Sequence, residues 1–200
     1  MIITVDVLKA IAPGAKKTGY RLLPELAEYM NYWFPLFDID QKGEYCHFLC
    51  QAAHETDSFN TLEEYATGKA YDGRADLGNI KVGDGIKYKG KGIFQTTGRG
   101  NYRALNPKWV LKAPDNIPVD FEETPKLLLK PVYAVWSACQ YWDDRSFNDF
   151  ANMPDDSKIY SKKLKRELSP LEYITWRING AFNGFSEREK FYKRAKEIIN

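Results

Sequence analysis

The chain of 200 residues carries a formal net charge of +2, a balance too mild to indicate a nucleic-acid-binding protein by itself. Its length and its 44% of hydrophobic residues suffice for one soluble globular domain with a core, so we interpret residues 1–200 as a single domain. No segment approaches the roughly eighteen apolar residues of a membrane span. Residues 1–6 lack the basic and apolar regions of a signal peptide, and we expect a protein that is made and folded in the cytoplasm.

The cysteines and histidines give no sign of a metal site or a disulfide framework. Cys46, Cys50 and Cys139 are odd in number, and we interpret them as small buried hydrophobic residues. His47 and His54 are the only histidines, and no cysteine or histidine arrangement has zinc spacing. We therefore expect neither a structural metal nor a cofactor.

Hydrophobic periodicity and capping signals predict a mainly α-helical chain. The predicted helices are, in chain order, Thr4 (as the N-cap) to about Ala12, Leu22 to Trp33, roughly 44 to 56, Pro131 to about Trp142, Ser169-Pro170 to about Ile178, and a last helix opened by a capping box at Ser186-Glu187-Arg188-Glu189. Between them we predict a small β-hairpin within 86–94, an irregular connector over 106–121, and a loop over 143–168 that becomes strongly basic. The fold class is thus mainly α, of the α+β type.

The helix predicted over 44–56 ends with an acid at the edge of its apolar face. At about 100° per residue, Glu55 lies beside Phe48, whereas His54 points to the other side and is expected to make structural hydrogen bonds. Partial burial disfavours the charged form of a carboxyl and raises its pKa. We therefore expect Glu55 to be suited to general acid catalysis.

A second acid, Glu64, follows nine residues later. A turn between the two can bring the second carboxyl across a groove without direct contact. Inverting glycosidases need such a gap, about 6.5–9.5 Å, because a water molecule must fit between the base and the sugar. The alternative is that Glu63 and Glu64 are ordinary surface acids, as most isolated acidic pairs are.

A glycine-dense polar stretch, 83–99, follows the acids. Its glycines let the backbone approach a ligand closely, and Gln95, Thr97 and Asn101 offer amide and hydroxyl groups on one side. Such groups can hold an attacking water and the N-acetyl group of a sugar. Two acids beside a polar, glycine-rich surface are what a sugar-cleaving cleft requires.

These motifs resemble the glycoside hydrolase family 19 chitinases, and in particular their bacterial and phage lysin branch. That branch typically reads His-Glu-Ser-Gly-Gly-Phe, then a Glu-Asn pair, then Gly-Asp-Gly-Trp-x-Tyr-Arg-Gly-Arg-Gly-Leu-Ile-Gln-Leu-Thr-Gly-Arg-x-Asn-Tyr. The matching stretches here are 54–59, 63–65 and 83–102, and 178–184 resembles a late Ile-Asn-Gly-Gly segment. Asp57 and Ser58 replace the two glycines of the first motif, and Ile86 replaces the Trp of the long one.

The resemblance implies a lysozyme-like helical domain with a small β-hairpin lobe flanking a substrate cleft, and an inverting mechanism. Glu55 would be the general acid and Glu64 the base. Six further residues match family positions that bind the sugar or place the water: Tyr88, Gln95, Thr97, Arg99, Asn101 and Asn179. For Tyr88 and Arg99 a structural role stays open beside the binding role.

We therefore predict a glycosidase that cleaves β-1,4 bonds of bacterial peptidoglycan, in the manner of an endolysin released through a holin-type lesion or exported. One alternative is a chitinase acting on poly-N-acetylglucosamine. Another is a catalytically inactive sugar-binding protein with the same fold. The expected partner is peptidoglycan or a chitin-like polysaccharide bound by a monomer. Nucleic acid is not expected, and residues 87–94 with their lysines and aromatic rings are the only stretch that suggests it.

Overall fold

The structure is a computed structural model that describes residues 1–16, 21–112 and 118–199, and over these residues it is mainly α-helical. The α-helices of the described residues are α1 (Val5–Ile11), α2 (Leu23–Trp33), α3 (Lys42–Glu55), α4 (Asp84–Lys87), α5 (Arg99–Lys112), α6 (Pro131–Asp143), α7 (Phe147–Ala151), α8 (Pro170–Asn179) and α9 (Phe185–Ile198). Short 3-10 turns lie at Phe34–Phe37, Lys69–Tyr71, Ala75–Leu77 and Pro125–Leu129. Two short antiparallel strands, β1 (Ile159–Ser161) and β2 (Arg166–Leu168), pair with Ile159 opposite Leu168.

The described chain divides into two compact units: Met1–Asn60 with Tyr141–Asn200, called unit 1, and Thr61–Gln140, called unit 2. The interpretation of 1–200 as one domain stays a prediction. Within the described residues, no helix combines the length and the apolar character that a membrane span needs.

Unit 1 is organised around α3. Ten consecutive residues of this helix, Glu44 to Ala53, are buried, and α9 is its most extensive neighbour. The Phe48 ring packs against the rings of Phe34 and Trp142 at centroid distances of 4.8 and 5.2 Å. A helix surrounded on all sides has a fixed axis, so the residues at its C-terminal end are held in place.

Unit 2 is rich in loops and is held by aromatic rings. Trp109 of α5 packs edge-on against Trp136 of α6, with ring centroids 5.1 Å apart, and Phe121 stacks on Trp136 at 5.5 Å. Tyr88 and Tyr102 form a second pair at 5.5 Å. Such pairs stabilise a unit in which helices alternate with loops.

Local capping signals predicted the start of two helices correctly. The Thr4 side chain accepts a hydrogen bond from the Val7 amide at 3.2 Å, and Ser169 forms a reciprocal capping box with Glu172 ahead of α8. Each cap satisfies backbone amides that the first turn leaves without partners.

The hairpin prediction for 86–94 is wrong in position. Residues Asp84–Lys87 form a helical turn, and Lys91 makes only isolated bridges to Glu63 and Thr96. The two strands lie instead at 159–161 and 166–168, inside the segment predicted as a basic loop. The turn between the two strands is closed by a hydrogen bond of 2.8 Å from the Lys165 backbone amide to the Ser161 carbonyl. Lys165 has a φ of +54° in this turn.

Two helix boundaries also differ from prediction. The connector predicted over 106–121 is helical as far as Lys112, with Pro107 inside α5, because Trp109 gains a buried position among aromatic rings; residues 113–117 of the connector lie outside the described part of the chain. The last helix begins at Phe185 after Gly184. The capping box predicted at Ser186 is therefore not formed.

Candidate active site

Glu55 is the last residue of α3 in unit 1, and its side chain is 17% exposed. The fully buried guanidinium of Arg188, from α9, donates to Glu55 Oε1 at 2.5 Å. Arg188 donates to Gln51 Oε1 at 2.5 Å as well, and Gln51 donates to Thr175 at 2.9 Å. A buried arginine needs a carboxylate partner, so this network fixes the Glu55 carboxyl through Oε1.

Tyr141 lies near this network. Burial raises the pKa of its hydroxyl, and the negative charge of Glu55 adds to that effect. The hydroxyl donates to the Arg177 carbonyl at 3.1 Å. It is thus a neutral hydrogen-bond donor across the physiological pH range.

Asn179 is the last residue of α8 and belongs to the same unit. Its Oδ1 is buried and has no hydrogen-bond partner among the described residues. The next residue, Gly180, ends the helix with φ +77°, a conformation that favours glycine. A buried acceptor without a partner is rare in folded proteins and suits a ligand that supplies a donor.

The two adjacent acids of unit 2 have different surroundings. The Glu63 carboxylate faces Lys89 and Lys91 at 3.5 and 3.7 Å, which is the environment of a structural ion pair. The Glu64 carboxylate instead accepts the Tyr71 hydroxyl at Oε2, 3.1 Å away, while its buried Oε1 has no partner among the described residues. Of the pair, Glu64 is therefore the acid that no salt bridge holds among the described residues.

Three of the predicted site residues converge on Gly90. A Cβ built on this glycine would lie 2.7 Å from Gln95 Oε1, 3.2 Å from Glu64 Oε2 and 3.3 Å from Thr97 Oγ1. Gly90 and Glu64 are also joined by a backbone hydrogen bond of 3.0 Å. The glycine is needed because any side chain would displace the carboxylate, the amide or the hydroxyl.

The loop that carries these groups has an uncommon backbone. Gln95 has φ +50°, a conformation that costs a residue other than glycine about 1–2 kcal/mol. Its amide nitrogen donates to the Gly92 carbonyl at 2.8 Å, while its Oε1 is buried without a partner among the described residues. Asn101 is exposed and donates to the Thr97 carbonyl at 2.7 Å. Strained residues with unused polar atoms are typical of binding sites.

Two of the predicted site residues, Tyr88 and Arg99, make structural contacts. Tyr88 is fully buried and its hydroxyl donates to the Glu122 carbonyl at 2.9 Å. Arg99 makes ion pairs with Asp84 and Glu122, and these pairs raise the pKa of its guanidinium further and lower that of Asp84. Both side chains hold the loop together, and their binding role stays a prediction.

Comparison with known proteins supports the resemblance. No family profile matches the sequence. A "Glycosyl hydrolase family 19 domain-containing protein" of Haemophilus influenzae is 35% identical over 130 residues, which are 65% of this chain and 52% of the relative. The chain thus spans about half the length of that relative.

Solved structures agree over nearly the whole chain. Chitinase C from Streptomyces griseus HUT6037 superposes with a TM-score of 0.63 at 15% identity, over 99% of this chain and 92% of the chitinase. A bacterial family 19 chitinase gives a TM-score of 0.60 at 16% identity, over 100% and 96%.

The chain has the family 19 chitinase-like fold.

Within this fold, sequence reasoning missed two residues that hold the predicted acids. Arg188 contacts Glu55 across 133 positions of sequence, a separation that no local pattern reveals. Tyr71 contacts Glu64 across seven positions, but the glycine-rich loop around it has no periodicity to mark it. A tyrosine seven residues after a candidate base is the one signal that could have been noted.

Proposed function

We propose that this family 19-like chain is a glycosidase that cleaves β-1,4 bonds of bacterial peptidoglycan by an inverting general acid/base mechanism. The observation that carries the proposal is the convergence of Glu64, Gln95 and Thr97 on the bare Cα of Gly90. A carboxylate, an amide and a hydroxyl at one point are the groups needed to bind and deprotonate a water molecule.

In this mechanism Glu55 is the general acid. Arg188 pairs with the carboxylate through Oε1, so the proton that passes to the departing glycosidic oxygen has to be taken up first on Oε2. Asn179, with its unpartnered buried Oδ1, accepts a hydrogen bond from a sugar N–H or O–H group. Asn101 is exposed at the start of α5 and contributes a further polar contact to the sugar.

Glu64 is the general base. The Tyr71 hydroxyl donates to Oε2, the oxygen that lies with Gln95 and Thr97 around Gly90, and so orients the carboxylate that takes the proton from water. Burial and the nearby Glu64 charge raise the pKa of Tyr71, so Tyr71 remains a donor when Glu64 is ionised. Gln95 and Thr97 hold the attacking water against the base.

Peptidoglycan is preferred over chitin because the motif at 83–102 resembles the lysin branch. Chitin is the second candidate, since the superposable structures are chitinases. In both polymers the sugar carries an N-acetyl group, so the same residues would serve. Action on a wall after holin-type release or export is part of the proposal.

Substrate and mechanism are tested together with purified protein. The proposal predicts loss of turbidity of purified peptidoglycan and new reducing ends, more than from colloidal chitin at equal protein concentration. Proton NMR of the first product released from a soluble oligosaccharide must show the α-anomer, as inversion of a β-bond requires. Retention of the β-anomer contradicts the inverting mechanism, and binding of polymer without any new reducing end supports the inactive sugar-binding alternative.

A further inference from the structure

His54, the residue before the proposed acid in α3, contacts the first turn of α9. Its Nδ1 lies 2.6 Å from Glu187 Oε2. The imidazole is 21% exposed and the Glu187 side chain 55% exposed. The proposed mechanism uses neither residue, although each is adjacent to one that it does use.

Gly184 packs on the other edge of the same ring. A Cβ on Gly184 would lie 2.0 Å from His54 Cε1 and 2.4 Å from Nε2, so only glycine fits there. The Gly184 carbonyl in turn accepts the amides of Glu187 and Arg188 at 3.0 and 3.1 Å. The His54 imidazole therefore contacts the start of α9 in two ways: Gly184 packs against the ring, and Glu187 hydrogen-bonds to Nδ1.

The contacts are paired residue by residue along the chain. His54 and Glu55 are consecutive at the end of α3, and Glu187 and Arg188 are consecutive in the first turn of α9. His54 contacts Glu187, and Glu55 contacts Arg188. A shift of the first turn of α9 would move the Arg188 guanidinium and the Glu55 carboxyl that it holds.

We propose that His54 and Glu187 form a positioning pair, which fixes the first turn of α9 so that Arg188 presents the Glu55 carboxyl correctly. The inference rests on the proposed function of Glu55. It assigns no contact with substrate to either residue. Misplacement of a reacting group by about 1 Å can reduce a rate about 100-fold, so the pair affects turnover more than substrate affinity.

The test is the steady-state kinetics of Glu187→Ala on whichever polymer the wild type degrades. We expect kcat to fall about 10- to 100-fold with KM within about twofold. Glu187→Gln keeps an oxygen that accepts the Nδ1–H of His54 and should restore most of the rate. The matched control is Glu189→Ala, which removes a neighbouring surface acid of α9 paired with Lys193 at 3.3 Å and should leave kcat unchanged.

Coupling and spectroscopy separate positioning from a general loss of stability. The double variant His54→Ala/Glu187→Ala should be no slower than the slower single variant, because both remove one contact. Long-range proton–nitrogen NMR should show His54 protonated at Nδ1 in the wild type and altered in Glu187→Ala. The chain has two histidines, and His54→Ala assigns the signals.

Each failure has its own signature. Glu187→Ala with wild-type kcat, beside an inactive Glu55→Gln, overturns the positioning pair and leaves the proposed function intact. Equal losses of rate in Glu187→Ala and Glu187→Gln, each matched by a fall in melting temperature, overturn it as well. A wild type with no turnover on either polymer overturns the proposed function and the positioning role together.

Discussion

Replacing Glu55 by glutamine tests catalysis and stability at one position, and the structure predicts that the two effects differ in size. Arg188 is fully buried and has Glu55 as its carboxylate partner. Glu55→Gln keeps an oxygen for the Arg188 hydrogen bond and removes the charge. Glu55→Ala removes both and leaves a buried cation without compensation.

The stability effect follows from the strength of these bonds. Both variants leave the buried Arg188 charge without a counter-charge, and loss of the whole pair in Glu55→Ala should cost about 3–5 kcal/mol. Glu55→Gln keeps a hydrogen bond to the charged guanidinium, about 1.5–3 kcal/mol, and should therefore lose only roughly 1–2 kcal/mol. At about 2–4 °C per kcal/mol for a chain of this size, the glutamine variant should melt about 2–8 °C lower and remain folded at 25 °C.

The catalytic effect should be much larger than this. Loss of a general acid reduces a rate about 10²- to 10⁴-fold, whereas a folded protein that has lost 1 kcal/mol of stability loses almost no active molecules at 25 °C. The assay is reducing-end release by Glu55→Gln at 25 °C, beside its melting curve. Wild-type turnover in a folded Glu55→Gln would refute the acid assignment and leave Glu55 as the counter-ion of Arg188 only.

Three further changes test other parts of the structure. Tyr71→Phe removes the hydrogen bond to Glu64. We expect kcat at 25 °C to fall about tenfold, the effect of about 1.4 kcal/mol on the barrier, and the melting temperature to fall by only a few degrees; an unchanged kcat would contradict the orienting role. Burial lowers the pKa of His47 from 6.5 to about 3, so between these pH values the unfolded chain binds a proton that the folded chain does not. The contribution of neutral His47 to the free energy of unfolding should be fully present above pH 6.5 and should fall by up to about 1.4 kcal/mol per pH unit as the pH is lowered towards 3. This slope should be smaller in His47→Phe in urea titrations at several pH values, and equal slopes would contradict it. Ser58→Gly relieves a φ of +60° and should raise stability by about 0.5–1 kcal/mol, so a lower melting temperature in calorimetry would show that the serine side chain is needed.

Features set by neighbouring residues could be predicted from the sequence. The caps at Thr4 and Ser169 depend on bonds to residues three positions away, and the apolar face of α3 depends on helical periodicity alone. The roles given to the hydroxyl and amide groups of 83–102 rest on the length of their motif and stay predictions. Each of these features depends on residues that are close in sequence, so the local sequence pattern is enough to predict it.

Features set by distant packing could not be predicted. Pro107 signals an irregular segment, yet α5 continues through it because Trp109 packs against Trp136, and such tertiary contacts override local propensity. Arg188 was assigned to a capping signal, while its partner lies on α3. Tyr88 and Arg99 lie in a binding motif, but burial and ion pairing make them structural.

The turn after Glu55 shows how a strained segment is retained. Asp57, Ser58 and Phe59 have φ values of +49°, +60° and +62°, and each such residue costs about 1–2 kcal/mol. Two glycines occupy the first two of these positions in the family motif, so the replacements add strain that glycine avoids. The opposing contributions are the fully buried Phe59 ring and the Thr56 side chain, which accepts the Phe59 amide at 3.0 Å and donates to the Ala52 carbonyl at 2.6 Å. Burying a phenylalanine contributes about 1.5–3 kcal/mol, which offsets much of the backbone strain. Side chains also narrow the conformations open to the unfolded turn, so the segment that follows the proposed acid loses less conformational entropy on folding than glycines would lose.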